Sequence, residues 1–225
     1  MKKKKGNIMS YAGTFGALLI LFVILALASP NFLKFDNMMS ILKQTTFNAL
    51  LSTGMLLCLI TAGIDLSVGA NATFAACMCG FLVTRGVTNS FVLIVVALLT
   101  GTLVGMVNGL LLTRLHLPHP FVSTLGMKNV LWGAALLVTA SKMISFSGIN
   151  GLLWLGSSTM KGFPVSFVIV ILIYILMHIL LTKTALGRSI YCAGGNPEAT
   201  RLSGINSANV LTFCYTLSGF MAALA

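Results

Sequence analysis

The chain is a succession of long apolar runs separated by short polar connections. These runs predict helices near Ala12 to Ala28, Ile41 to Ala62, Val68 to Val83, Phe91 to Thr113, Phe121 to Thr139, Phe163 to Leu181 and Asn209 to Ala225. Crossing a hydrocarbon core of about 30 Å takes roughly 20 helical residues, and most of the runs approach that length. The expected fold is therefore all-α, a polytopic transmembrane helical bundle of about seven spans, in a single transmembrane domain over residues 1–225. The last run reaches Ala225 without a polar or basic flank, so the chain is expected to be incomplete at its C-terminal end, within an element.

Polar interruptions of this pattern mark the places where chemistry is expected. Between the second and third runs, Gly63 and Gly69 flank Asp65, and a straight continuous helix is not expected there. An ionisable group near the hydrocarbon costs about 2.5–3.5 kcal/mol on insertion scales, so Asp65 must meet a partner, water or free backbone groups. It is either a proton or ion site or a cap on the helix that contains Ser67 and Val68; the flanking glycines favour the cap. Gly101, Gly105 and Gly109 recur every fourth residue along one face of the fourth run and predict a seam where another helix approaches closely, with Asn108 able to hydrogen-bond across it.

The stretch Gly187 to Asn206 is polar and lies between two membrane-length runs. Asn196 predicts an N-cap, Pro197 the first helical position, Glu198 a favourable charge at the positive end of the dipole, and Gly204 the stop. The resulting helix, Pro197 to Ser203, is about two turns long and too short to hold itself without packing.

Composition sharpens the class: hydrophobic residues make up 57% and charged residues 8% of the chain, with a mean hydropathy of +1.01. A net charge of +11 invites a nucleic-acid reading, but no basic stripe is interleaved with aromatics, so no nucleic-acid partner is expected. The charge reads as topology. Lys2 to Lys5 precede the first run, and Lys183, Arg188 and Arg201 follow the sixth, predicting a cytoplasmic N-terminus and a cytoplasmic Gly187 to Asn206 segment. Alternation then puts Ala140 to Gly162 outside, with an apolar Ile149 to Leu155 patch at the membrane surface where Trp154 would suit the interface. The lysine-rich start and Ala26-Leu27-Ala28 imitate a secretion signal, but the apolar run exceeds the 7–15 residues, roughly, of a signal core.

Catalysis is poorly provided for. The only acids are Asp36, Asp65 and Glu198, and no two lie close enough in sequence to suggest a carboxylate pair. The five cysteines show no framework spacing and read as packing residues. His116 and His119 sit among helix-breaking prolines without further ligands, so no metal is expected. His178 is expected to face neighbouring helices. Neither a phosphate loop nor a serine elbow is present. No enzymatic activity and no cofactor are expected, and any ATP must be bound by another chain.

Three blocks in order resemble a known family, the membrane permease subunits of bacterial ABC sugar importers of the ribose permease type. They are Thr61 to Gly69; Asn108-Gly109 with Pro120 to Met127; and Gly187-Arg188 through Gly194 to Ile205, continuing in Tyr215 to Gly219. The resemblance covers the chain from about Asn37 to its end. It implies a bacterial inner-membrane location and half of a dimeric pathway for a monosaccharide, completed by a second permease copy or homologue. Its partners would be membrane lipid, a periplasmic sugar-binding protein and a cytoplasmic ATP-binding subunit. The family's docking stretch for the ATPase falls on Glu198, Ala199, Arg201, Leu202 and Gly204. Thr200 stands where the family has a small alanine and Ala62 where it has a glycine, and the family continues to about ten spans where this chain stops within its seventh. An ion-coupled secondary transporter using Asp65, or a non-transporting remnant, are the alternatives.

Overall fold

A computed structural model describes residues 8–115, 117, 119–160 and 163–225. Lys2 to Lys5, His116, Pro118, Lys161 and Gly162 lie outside the described residues, and so do the expectations placed on them. The chain divides into two compact units, one ending at Leu42 and the other running Lys43–Ala225.

The first unit contains α1 (Ile8–Ala28) and the start of α2 (Phe35–Ile60). Phe22 meets Phe32 edge-on, with ring centroids 5.2 Å apart. The Asn37 side-chain amide donates to the Phe32 carbonyl at 2.7 Å and pins the connection between the helices. Helix α2 starts at Phe35, ahead of the Ile41 expected from hydropathy, because polar residues such as Asp36 and Asn37 are carried in its first turns.

The second unit continues α2 and adds α3 (Val68–Thr84), α4 (Ser90–Arg114), α5 (Pro120–Thr139), the short α6 (Asn150–Ser157), α7 (Val165–Lys183), α8 (Ala185–Gly195), α9 (Pro197–Leu202) and α10 (Ser207–Leu224). Helix starts are written locally. Asn89 accepts from the Phe91 and Val92 N–H groups, Thr184 from Gly187 and Asn206 from Asn209, each satisfying donors that an opening helix leaves free. Pro120 opens α5 and Pro197 opens α9, where the missing N–H costs nothing.

Among the described residues the fold is helical but for an antiparallel pair, β1 (Thr159–Met160) with β2 (Phe163–Pro164), in the register Thr159 opposite Pro164. Phe163 and Pro164 therefore belong to this pair, and the helix expected from Phe163 starts at Val165. Among the described residues, four helices are long and apolar enough to cross a membrane: α4, α5, α7 and α10. Helix α3 and the Ala12–Ala28 part of α1 are apolar but shorter. In α2 the apolar character is diluted by Asn37, Lys43, Gln44 and Asn48.

Helix α10 is the axis of the second unit and packs most extensively on α4. A side chain at Gly54 of α2 would press on Ser218 backbone atoms 3.0 Å away, so α10 also lies closely against α2. Leu57, Met177, Ile190, Ala193, Val210, Cys214 and Met221 form one buried cluster that ties α2, α7, α8 and α10 together. A smaller cluster of Cys79, Leu93 and Ile149 seats the segment before α6 against α3 and α4.

Candidate functional site

The chain stops being helical at Ile60 and resumes at Val68. The end of α2 is a Schellman motif: the Gly63 N–H donates to the Cys58 carbonyl at 2.8 Å and the Ala62 N–H to the Leu59 carbonyl at 3.0 Å. The motif needs a left-handed residue, and Ala62 supplies it with φ of 58°. Gly63 fits because a Cβ there would lie 2.5 Å from the Tyr215 hydroxyl. Gly69 already belongs to the first turn of α3, where a Cβ would meet nothing within 4 Å.

Asp65 is buried in this break, with 2% of its surface exposed. Its Oδ1 accepts from the Ser67 N–H at 3.0 Å and from the Ser67 hydroxyl at 2.6 Å. Its Oδ2 accepts from the Ser218 hydroxyl at 3.0 Å. Ser67 is the N-cap residue of α3, so the carboxylate takes the N–H of the cap position itself, while the Ser67 side chain makes no cap bond into the helix. Asn108 donates to the Ser67 hydroxyl at 2.8 Å, bonding to the break and not to the helix across its glycine face. Thr124 of α5 donates to the Ile64 carbonyl at 3.1 Å. The broken segment is thus tied by hydrogen bonds to α4, α5 and α10.

Gly101, Gly105 and Gly109 face α10. A Cβ on Gly105 would run into the Tyr215 carbonyl and, at 2.9 Å, the Gly219 Cα, while one on Gly109 would meet the Thr212 Cα at 2.8 Å. Across from Gly101 lie Ala223 and the Gly219 carbonyl, so small residues stand on both sides and the two backbones touch. Asn71 of α3 adds a bond to the Gly101 carbonyl at 3.0 Å.

The segment after α7 holds two helices where one was expected. Helix α8 buries Gly187, Ile190 and Ala193 at three-residue spacing and turns its other face outward. Helix α9 follows at once: the Asn196 side chain accepts from the Ala199 N–H at 3.0 Å. A second Schellman motif closes it, with Gly204 N–H to the Arg201 carbonyl at 3.0 Å, Ile205 N–H to the Thr200 carbonyl at 3.2 Å, and Gly204 at φ of 81°. Thr200 alone of this helix is buried; Glu198, Ala199, Arg201 and Leu202 are exposed, Leu202 by 78%. Arg201 grips Glu198 with its Nη2 at 2.7 Å and its Nε at 3.3 Å. An ion pair this exposed contributes little to stability.

His178 is exposed on α7 and does not face a neighbouring helix in this chain, because Met177 takes the inward position. No contact was assigned from the sequence to Ser218, Thr124, Gly219 or Gly194, although all four lie in the blocks that carry the resemblance.

Membrane-length helices joined around a glycine seam, with an acid buried in a broken segment, define a multi-pass membrane protein. Residues 37–225 match the family described as branched-chain amino acid transport system / permease component, and the chain belongs to that family. It is 34% identical over 223 residues to the ribose import permease protein RbsC of Haemophilus influenzae, an alignment covering 98% of this chain and 68% of the relative. It is 35% identical over 212 residues to RbsC of Escherichia coli strain K12, covering 93% and 65%. With the fructose import permease protein FruF of Bifidobacterium longum the identity is 36% over 191 residues, covering 84% and 53%. The chain thus spans between about half and about two thirds of the length of these relatives. No solved structure matches it.

Proposed function

We propose that this chain is the membrane permease subunit of an ATP-driven monosaccharide importer. It forms half of the pathway through a bacterial inner membrane, opposite a second copy or homologue. A periplasmic sugar-binding protein delivers the sugar and cytoplasmic ATP-binding subunits drive the cycle. In this arrangement the N-terminus and the α8–α9 segment are cytoplasmic, and about seven helices cross the bilayer. Relatives named as ribose and fructose import permeases and as a galactofuranose transporter permease support a sugar over an amino acid as the cargo.

The observation that carries the ATPase contact is α9. It is closed at both ends by its own side chains and backbone, yet it leaves Glu198, Ala199, Arg201 and Leu202 uncovered. A short, rigid, exposed knob transmits a push, which a floppy connection does not. Glu198→Lys puts like charge at the dipole's positive end and against Arg201, and Gly204→Val strains the left-handed terminus. In the full-length permease both variants are expected to insert normally while recruiting less ATP-binding subunit or losing sugar-stimulated ATP hydrolysis. Normal recruitment and normal coupling in both would sink the assignment. Sugar uptake that persists when the proton gradient is collapsed and ATP is maintained separates this reading from an ion-coupled transporter working through Asp65.

A further inference from the structure

Helix α8, which the docking reading does not use, touches the broken span. A Cβ on Gly194 would strike the Ile60 carbonyl oxygen and lie 2.8 Å from the Ile60 carbonyl carbon and 3.1 Å from the Thr61 Cα. All three are backbone atoms, two at the last residue of α2 and one at the first residue of the break, just before the Ala62 reversal, and none can swing aside. The next glycine is different: a Cβ on Gly195 would meet nothing within 4 Å. Beneath this contact Ile190 and Ala193 are packed into the cluster that contains Leu57.

Helix α9 has a second mechanical outlet. It runs through Gly204 directly into α10, and the Ser207 hydroxyl donates back to the Pro197 carbonyl at 3.3 Å. Helix α10 in turn reaches Asp65 through Ser218. Both outlets of α9 therefore end on the same few residues, at Ile60 and Thr61 through α8, and at Asp65 through α10.

We infer that Gly194 is a positioning residue of the transport cycle: its backbone contact with Ile60 and Thr61 makes α8 and the end of α2 one body, so that displacement of α9 is delivered to the broken segment 61–67. This rests on the proposed docking at α9. The contact is a push rod and not a binding surface, so losing it leaves the ATP-binding subunit bound but its work undelivered.

The test compares Gly194→Ala with Gly195→Ala in the full-length permease co-expressed with its ATP-binding subunit and reconstituted in vesicles. Expected for Gly194→Ala is normal recruitment and continued ATP hydrolysis, with sugar uptake per ATP hydrolysed reduced about tenfold, inside the range of coupling factors between sites. Gly195→Ala is expected to match the parent. Uptake per ATP within about twofold of the parent in Gly194→Ala, equal losses in both variants, or lost recruitment in Gly194→Ala each overturn the inference. Glu198→Lys tests docking separately, through recruitment alone, so either idea can fail without the other.

A measurement on the unperturbed glycine guards against misfolding of Gly194→Ala. Spin labels at native Cys192 and at Leu59→Cys, both exposed positions, with the other cysteines replaced, report the separation of α8 and α2. It is expected to stay constant to within about 2 Å between nucleotide-free and ATP-bound states, the scale of small helix shifts. The distance from Cys192 to a label at the exposed Leu136 of α5 is expected to change. A varying first distance or a constant second one overturns the inference.

Discussion

The Ser218 hydroxyl donates to Asp65 Oδ2 at 3.0 Å, joining positions 153 residues apart. This single bond closes a loop that contains α3 to α9, and it does so where both partners are buried. It explains how an acid can sit inside an apolar chain: the three donors on the carboxylate are an N–H and two hydroxyls, so the acid is satisfied by dipoles at a helix break.

Asp65→Asn is expected to keep most of the transport activity of the full-length permease. The amide oxygen can still accept both Ser67 bonds, and the amide N–H₂ can donate to a reoriented Ser218 hydroxyl. Asp65→Ala leaves those donors without a partner, each at a cost of about 1–3 kcal/mol, and is expected to lower the thermal midpoint in detergent sharply. Abolished transport by a well-folded Asp65→Asn protein would point to an ion site.

The glycine seam makes a second prediction. Gly105→Ala places a methyl group on backbone atoms of Tyr215 and Gly219, and forcing the helices apart is expected to cost about 1–3 kcal/mol or more. Gly126→Ala on α5 meets nothing within 4 Å and is expected to be silent. Thermal unfolding of the two variants side by side, followed by size-exclusion profile, checks this; equal stability would mean that the seam is not closely packed in the membrane.

Local signals in the sequence carried much of this architecture. The apolar run makes α4 legible, and Asn196, Pro197 and Gly204 delimit α9 because their preferences act within a few residues. Helix α8 was hidden by its composition: Gly187, Gly194 and Gly195 lower helix propensity, and only the spacing of Ile190 and Ala193 marks a buried face. Long-range relationships left no comparable trace. Nothing in Gly101 to Gly109 names α10 as the partner helix, and nothing in the neighbourhood of Ser218 announces Asp65, because such pairings are set by how the whole bundle closes.

Ala62 stands at φ of 58° and Ala140 at φ of 50°, each as the left-handed residue of a Schellman motif; the one at the end of α5 has Ser141 N–H to the Leu136 carbonyl at 3.0 Å. A Cβ in this conformation costs about 1 kcal/mol relative to glycine. Ala62→Gly and Ala140→Gly are each expected to raise the thermal midpoint by an amount corresponding to about 1 kcal/mol, less the entropy glycine adds to the unfolded chain. A lowered midpoint in both would show that these termini do not keep the left-handed turn.

The last prediction concerns the two sides of the membrane. Ser147 and Ser203 are both exposed, and the helices between them are α6, α7, α8 and α9. At 1.5 Å per residue α6 is about 12 Å long, α8 about 16 Å and α9 about 9 Å, all well short of a hydrocarbon core of about 30 Å. Among the described residues between them, α7, with its 19 residues, is the one helix long and apolar enough to cross. With that one crossing, the two serines are expected on opposite sides. By the positive-inside rule, Lys183, Arg188 and Arg201 lead to the expectation that the Ser203 side is cytoplasmic. In a background without the native cysteines, Ser147→Cys is expected to react with an impermeant maleimide added outside intact cells, and Ser203→Cys only after the membrane is opened. Reaction of both from outside would mean that α7 lies along the membrane, and reaction of Ser203→Cys alone would invert the orientation.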